Sequence, residues 1–469
     1  MSSERRPLVV LDIVGLTPNL LAHMPRLSAV AKSGFSAELG TVLPAVTCSA
    51  QATFLTGTMP KDHGIVGNGW YFRDLCEVWL WRQSNRLVTG EKFWETARRL
   101  LPDETITCAK MFWWYNMYSS ADWSATPRPV YYSNGAKAPG IYTHPHDLKY
   151  ELTGAHGEFP LFNFWGPTAD ITSSRWIADA TRTVFEAYAP TVTLCYLPHL
   201  DYDLQRFGGS GAHAIAAATQ LDEVAGNLID PLRAAGAKIV VLSEYGITNV
   251  SRPIDINRRL REAGLLEVVH NDAGELLDAG ASRAFAVADH QVAHVYTADA
   301  NARHAAREAL ADLAGVDRLL DDESGTKRDA GLDHPRAGEL VAVAEPDSWF
   351  TYYYWLDDDR APDFARSVDI HKKPGYDPAE LFFDGPNAKL RAALRLAQKK
   401  LGFRYRMDVV PLDPGRVAGS HGRLPADPGD GPVLLCSEPE LRRDAFEATE
   451  VYDLLLELLG VPRVREAVA

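Results

Sequence analysis

The segment Leu8-Val9-Val10-Leu11-Asp12-Ile13-Val14-Gly15-Leu16 constrains the fold more than any other part of this chain. A continuous apolar run of this length, closed by glycine, suits a core strand of a parallel sheet buried on both faces. Its one acid, Asp12, falls at the end of the expected strand. In open parallel sheets chemistry collects at the carboxyl ends of strands, and an aspartate there is a good metal ligand. The same residue serves equally well as a turn former. Further strand-like runs at 105–110, 192–197, 237–242 and 432–435 alternate with helical patterns at 175–187, 213–234 and 447–459. That alternation predicts a doubly wound α/β sheet.

Two regions break the pattern. Residues 113–170 are rich in Trp, Tyr, Pro and Gly and read as long aromatic-lined excursions. Residues 280–404 carry their own strands, expected at 292–295, 340–344 and 349–354, and read as an inserted cap over the active face. The expected core is then 1–279 with 405–469.

A second informative stretch follows the first strand. In Leu43-Pro44-Ala45-Val46-Thr47-Cys48-Ser49-Ala50-Gln51-Ala52-Thr53-Phe54-Leu55-Thr56-Gly57, a helix is expected from Ser49 to Leu55, stopping at Thr56-Gly57. A helix N-terminus favours bound anions, because its first N–H groups are unpaired and its dipole end is positive. Thr47 at that point can act as a helix cap or, with its hydroxyl activated, as a nucleophile toward phosphorus.

The chain has 469 residues, enough for one large domain with insertions or for two. Its net charge of −14 gives no basic footprint for a nucleic-acid polymer or acidic lipid. Five scattered cysteines include no Cys-x-x-Cys pair, which argues against a cysteine zinc knuckle and a disulfide scaffold. The apolar run 8–16 is too short and too polar for a membrane span, and the N-terminus lacks a cleavage pattern. A cytoplasmic location is expected; the oligomeric state is open.

Asp12, Pro44-x-x-Thr47 and Leu55-Thr56-Gly57-x-x-Pro60-x-x-His63-Gly64-Ile65, continuing through Gly67-Asn68-Gly69, resemble the nucleotide pyrophosphatase/phosphodiesterase family of the alkaline phosphatase superfamily. The resemblance recurs in order along most of the chain. It implies an alkaline-phosphatase-like three-layer α/β sandwich with a mostly parallel central sheet and a smaller inserted cap. It also implies Asp12 as a metal ligand and Thr47 as both nucleophile and ligand. Asp201 and Gln205, spaced four apart before Phe207-Gly208, stand where the family carries the Asp and His of its first metal. Ser243-Glu244-Tyr245-Gly246-Ile247 stands where it carries Ser-Asp-His-Gly-Met, so Glu244 and Tyr245 fall on the second metal. Gly419-Ser420-His421-Gly422 matches Gly-x-His-Gly and gives His421 to the first metal. The family's phosphate-contacting Asn falls on Ala50, with Gln51 beside it as a substitute.

Three ligand positions are thus rewritten as Gln205, Glu244 and Tyr245. Zinc is the metal the resemblance implies. An oxygen-rich set instead suits Mg²⁺, Mn²⁺, Ca²⁺ or Fe³⁺. One divalent ion is expected at Asp12, Thr47, Glu244 and Tyr245, and a second, weaker position at Asp201, His421 and Gln205. His199, Asp203, Asp289-His290, His294 and His371 are candidate replacements. Trp70 and Trp113 are candidates for a substrate-binding wall with Gln51 and His371, or else core packing. The expected function is metal-dependent hydrolysis of a small cytoplasmic phosphate ester. The alternative is a pseudoenzyme that keeps the fold and binds a ligand or partner without turnover.

Overall fold

The structure, a computed structural model, describes residues 5–133, 137–403 and 405–461. Residues 1–4 and 462–469 of the expected core lie outside the described residues. Thirteen strands and eight helices suffice to place the site. The strands are β1 (Leu8–Ile13), β2 (Phe35–Leu39), β3 (Cys108–Met111), β4 (Trp123–Pro127), β5 (Ile141–His144), β6 (Val192–Leu197), β7 (Lys238–Leu242), β8 (Ala284–Asp289), β9 (Val292–Thr297), β10 (Val316–Asp321), β11 (Leu340–Ala344), β12 (Val433–Cys436) and β13 (Ala445–Phe446). The helices are α1 (Pro25–Ser33), α2 (Thr47–Thr56), α3 (Phe93–Leu100), α4 (Ile171–Tyr188), α5 (His199–Phe207), α6 (Ala212–Ala234), α7 (Ala388–Lys400) and α8 (Glu450–Leu458).

Nine strands form the central sheet in the order β13-β2-β12-β7-β1-β6-β3-β4-β5. β1 lies mid-sheet, parallel to both β6 and β7, and all six of its residues are buried. Helices on both faces explain that burial: α1, α4 and α6 pack together on one side, α2, α3 and α8 on the other. Each large aliphatic side chain removed from water this way stabilises the fold by about 1.5–3 kcal/mol. The sheet is mostly parallel; its antiparallel pairs are β7 with β12, β2 with β12 and β4 with β5.

The aromatic-rich region 113–170 is more regular than its composition suggests. Residues 123–127 and 141–144 extend the sheet as β4 and β5, and Leu148–His156 is helical. Prolines and glycines between these short edge elements hide them from a periodicity argument.

Strands β8-β9-β11-β10 form a separate antiparallel sheet. The strand expected at 349–354 spans Ser348–Phe350 only, pairing with Arg252–Ile254. The core under this sheet also gathers Cys48, Ile65, Trp70, Trp114, Ile254 and Leu260 from earlier parts of the chain.

Candidate active site

Asp12 lies near the end of β1, paired in register with Tyr196 and Leu242 on either side. Glu244 and Tyr245 follow β7 directly, and Asp201 lies in the first turn of α5, just after β6. Three adjacent parallel strands therefore deliver four side chains to one edge, as expected for carboxyl ends of a parallel sheet. His421 arrives from the other direction, just beyond the short pairing of Gly419–Ser420 with Thr248–Asn249.

Thr47 opens α2, two residues earlier than the sequence pattern placed the helix start. Ser49 makes this possible by donating its hydroxyl to the carbonyls of Pro44 (2.6 Å) and Val46 (3.0 Å). The helix ends at Gly57, whose φ of +66° and close approach to the Tyr452 ring exclude a larger residue. The Thr47 hydroxyl is not a cap. It donates to Glu244 Oε2 (3.0 Å) and lies 3.0 Å from the Tyr245 phenol.

Gln51, one turn along the same face, donates Nε2 to Asp12 Oδ2 (2.9 Å) and accepts the Trp114 amide at Oε1 (2.8 Å). It braces Asp12. The first-turn N–H of Cys48 is taken by Asn68 Oδ1 (3.0 Å). Asn68 in turn donates its backbone N–H (2.8 Å) and its amide (3.0 Å) to the Asp289 carboxylate. Asp289 Oδ1 accepts from His290 Nδ1 at 2.9 Å, leaving His290 Nε2 buried with no hydrogen-bond partner. His290 is held at φ +61° in the tight turn between β8 and β9.

His290 belongs to a column of four rings. Tyr245 stacks on His421 (3.6 Å between centroids), His421 on His290 (3.7 Å) and His290 on Tyr376 (3.7 Å). The Tyr376 phenol donates to Gln205 Oε1 at 2.9 Å. His421 donates Nδ1–H to the Ala45 carbonyl (2.8 Å), so its Nε2 is unprotonated and stands 3.8 Å from Asp201 Oδ1.

Burial governs the electrostatics. It pushes the Asp12 and Glu244 carboxyls up; the neighbouring Asp12 charge adds to the rise at Glu244, while hydrogen bonds to Glu244 and Gln51 pull Asp12 the other way. Burial also raises Asp201 to about 7, with the Gln205 amide pulling the other way. It drives His421 and His290 well below the usual imidazole value, so both rings are neutral.

These residues fit the implied metal at one position and not at the other. Asp12 Oδ1 and Glu244 Oε1 are buried without a hydrogen-bond partner, beside the Thr47 and Tyr245 hydroxyls. Two free carboxylate oxygens and two hydroxyls make an all-oxygen set, which suits one hard divalent cation. At the other position Gln205 spends its oxygen on Tyr376, leaving Asp201 and His421 as the only strong donors from the expected set. Among the described residues, no three or more His, Cys, Asp or Glu side chains converge to hold a metal ion.

The remaining candidates separate cleanly. The Trp113 ring is fully buried in the main core, and Trp70 packs on Phe72 and under Arg336 in the second core. His371 has no part in the ring column; the same polar segment contributes Tyr376 instead. His294 spends both nitrogens on Val66 and Gly338, and Asp203 pairs with Arg206. His199 is buried beside Tyr202. Asn68 and Asp289-His290 were visible in the sequence as part of a matched motif and as a candidate pair. Their joint role depends on a contact spanning 221 residues of chain.

A threonine at a helix N-terminus thus faces acids gathered at the carboxyl ends of a mostly parallel sheet. The chain matches the type I phosphodiesterase/nucleotide pyrophosphatase family over residues 8–377, and it belongs to that family. The family consists of metal-dependent, phosphodiesterase/pyrophosphatase-type hydrolases. No curated protein matches the chain in sequence. Among solved structures, murine ectonucleotide pyrophosphatase/phosphodiesterase 5, in an inactive form complexed with AMP, is 15% identical with a TM-score of 0.58, covering 98% of this chain and 96% of that one. Phosphonoacetate hydrolase from Sinorhizobium meliloti, complexed with phosphonoacetate, is 14% identical with a TM-score of 0.61, covering 97% and 96%. At these identities both show the shared fold. No helix among the described residues is long and apolar enough to cross a membrane.

Proposed function

We propose that this chain hydrolyses a small phosphate ester in the cytoplasm, with Thr47 as nucleophile and one hard divalent cation held by Asp12, Glu244, Thr47 and Tyr245. The observation that carries this reading is the Thr47 hydroxyl, fixed at the start of α2 between Glu244 and Tyr245. Glu244 Oε2 already accepts the Thr47 hydrogen bond, so it is placed to hold the proton as Oγ1 attacks phosphorus. The P–O bond to Thr47 forms as the bond to the leaving alcohol breaks. Water then cleaves the phosphothreonine ester and regenerates the hydroxyl. Gln51 keeps Asp12 oriented through both steps. Asp201 and His421 are the groups available to exchange a proton with the leaving oxygen or with water. A cation between Asp12 and Glu244 would supply positive charge against the phosphoryl oxygens and acidify the Thr47 hydroxyl.

The AMP complex of the murine relative favours a nucleotide-like ester, and the S. meliloti relative adds phosphonates to the substrates worth testing. Five unpaired cysteines favour a reducing compartment. The test is metal analysis of the purified protein together with turnover of bis-p-nitrophenyl phosphate, AMP esters and phosphonoacetate in Mg²⁺, Mn²⁺ or Zn²⁺. Thr47→Ala should lower turnover on the order of 10³-fold or more while leaving the fold intact. No bound cation, together with turnover that survives Thr47→Ala, would remove the proposal. Binding of these ligands without turnover in any cation would leave the pseudoenzyme in its place.

A further inference from the structure

Helix α7 and the residues after it do not share the acidity of the rest of the molecule. Between 388 and 407 lie seven basic residues (Lys389, Arg391, Arg395, Lys399, Lys400, Arg404 and Arg406) and no acid, in a chain whose net charge is −14. The helix touches the body through small residues. Ala388 is fully buried, and Ala392 packs on the cluster of Ala379, Val409 and Val410.

The opposite side carries leucines with nothing against them. Leu390, Leu394 and Leu401 recur at i, i+4 and i+11, which returns them to one line at 3.6 residues per turn. They are 62%, 61% and 73% exposed, and Phe403 just beyond the helix is 65% exposed. An apolar line of this kind costs free energy in water unless something covers it. Lys389 and Arg391 flank Leu390 on either side of that line, and Arg391 is steadied by Asp384 (2.9 Å).

We propose that α7 and its continuation to Phe403 form a docking surface for an anionic lipid membrane, with the leucine line entering the headgroup–acyl boundary and the flanking bases meeting lipid phosphates. A basic amphipathic helix lies in the interface plane for these two reasons together. Charge complementarity selects a negatively charged partner. The exposed leucines between the bases select a lipid surface over a nucleic-acid polymer, which would use the charge and leave the leucines in water. The small-residue docking face orients the helix with its apolar line outward. The proposal is independent of the chemistry assigned to Thr47.

The test uses the full chain in flotation with vesicles of phosphatidylcholine alone and with about one third phosphatidylglycerol added. Binding is expected to the anionic vesicles, to weaken about fivefold for each base removed from the surface, and to fall at high salt. Leu390→Glu with Leu394→Glu is expected to abolish binding, with thermal unfolding unchanged because neither side chain contacts the core. Lys389→Gln with Lys400→Gln provides the charge arm. Absence of binding to anionic vesicles would overturn the proposal. So would binding that the leucine variants retain. Self-association removed by the leucine variants, without vesicle binding, would assign the face to a second copy of the chain instead. Salt-sensitive capture of single-stranded nucleic acid that ignores the leucine variants would assign it to a polyanion.

Discussion

Glu244→Gln should make the cation-free protein more stable and the working protein less active. Glu244 is fully buried; Oε2 accepts from Thr47 and Oε1 has no partner. Burial and the adjacent Asp12 carry its pKa well above the ordinary 4.5. Without a cation, the folded protein therefore binds a proton that the unfolded chain has already released. Each pH unit above the unfolded value then costs about 1.4 kcal/mol, so stability falls as pH rises from the unfolded pKa toward the folded one. From 4.5 to about pH 8 the cost reaches at most roughly 5 kcal/mol, and it vanishes at or below 4.5. Glutamine keeps the shape and a carbonyl for Thr47, offers an N–H to Asp12, and needs no proton. In chelator at about pH 8 the variant should exceed the wild type in urea unfolding, by no more than that bound of roughly 5 kcal/mol, with the gap closing by about pH 4.5. Saturating Mg²⁺ or Mn²⁺ should reverse the order, because only the wild type offers two carboxylates to the cation. Turnover should fall in the variant. Equal or lower stability of the variant in chelator at about pH 8 would refute the assignment of a buried, proton-holding Glu244.

Two other substitutions probe the rest of the site. Gln205→His gives Asp201 and His421 a second imidazole, so zinc content measured by plasma emission should rise by about one equivalent per chain, at a cost of about 1 kcal/mol for the lost Tyr376 contact. Unchanged stoichiometry would mean that the missing imidazole is not what keeps this position from zinc. Asn68→Ala removes the partner of Cys48 N–H and a side-chain donor to Asp289, and should cost about 3 kcal/mol in urea unfolding while slowing turnover. A loss below about 1 kcal/mol would show that Asn68 is not the joint between α2 and the β8–β9 turn.

The amino-acid sequence determined the sheet. The runs at 8–11, 192–197 and 237–242 are apolar because strands covered on both faces exclude water, and that demand is local enough to read. The family resemblance also singled out Asp12, Thr47, Glu244 and Tyr245, and the structure sets the Thr47 hydroxyl within hydrogen-bond reach of Glu244 and Tyr245. The edge strand β5 and its neighbour β4 escaped, because strands this close to the sheet's margin need no continuous apolar run and these two sit among prolines and glycines. What only the tertiary structure decided is which polar residues share a space. Gln51 braces Asp12, Tyr376 claims the Gln205 oxygen, and Asp289-His290 joins the ring column against His421. Such partnerships depend on distances between segments 39 to 171 residues apart in the chain. Burial then sets the protonation of every carboxyl and imidazole they bring together, and no residue's identity by itself states its burial.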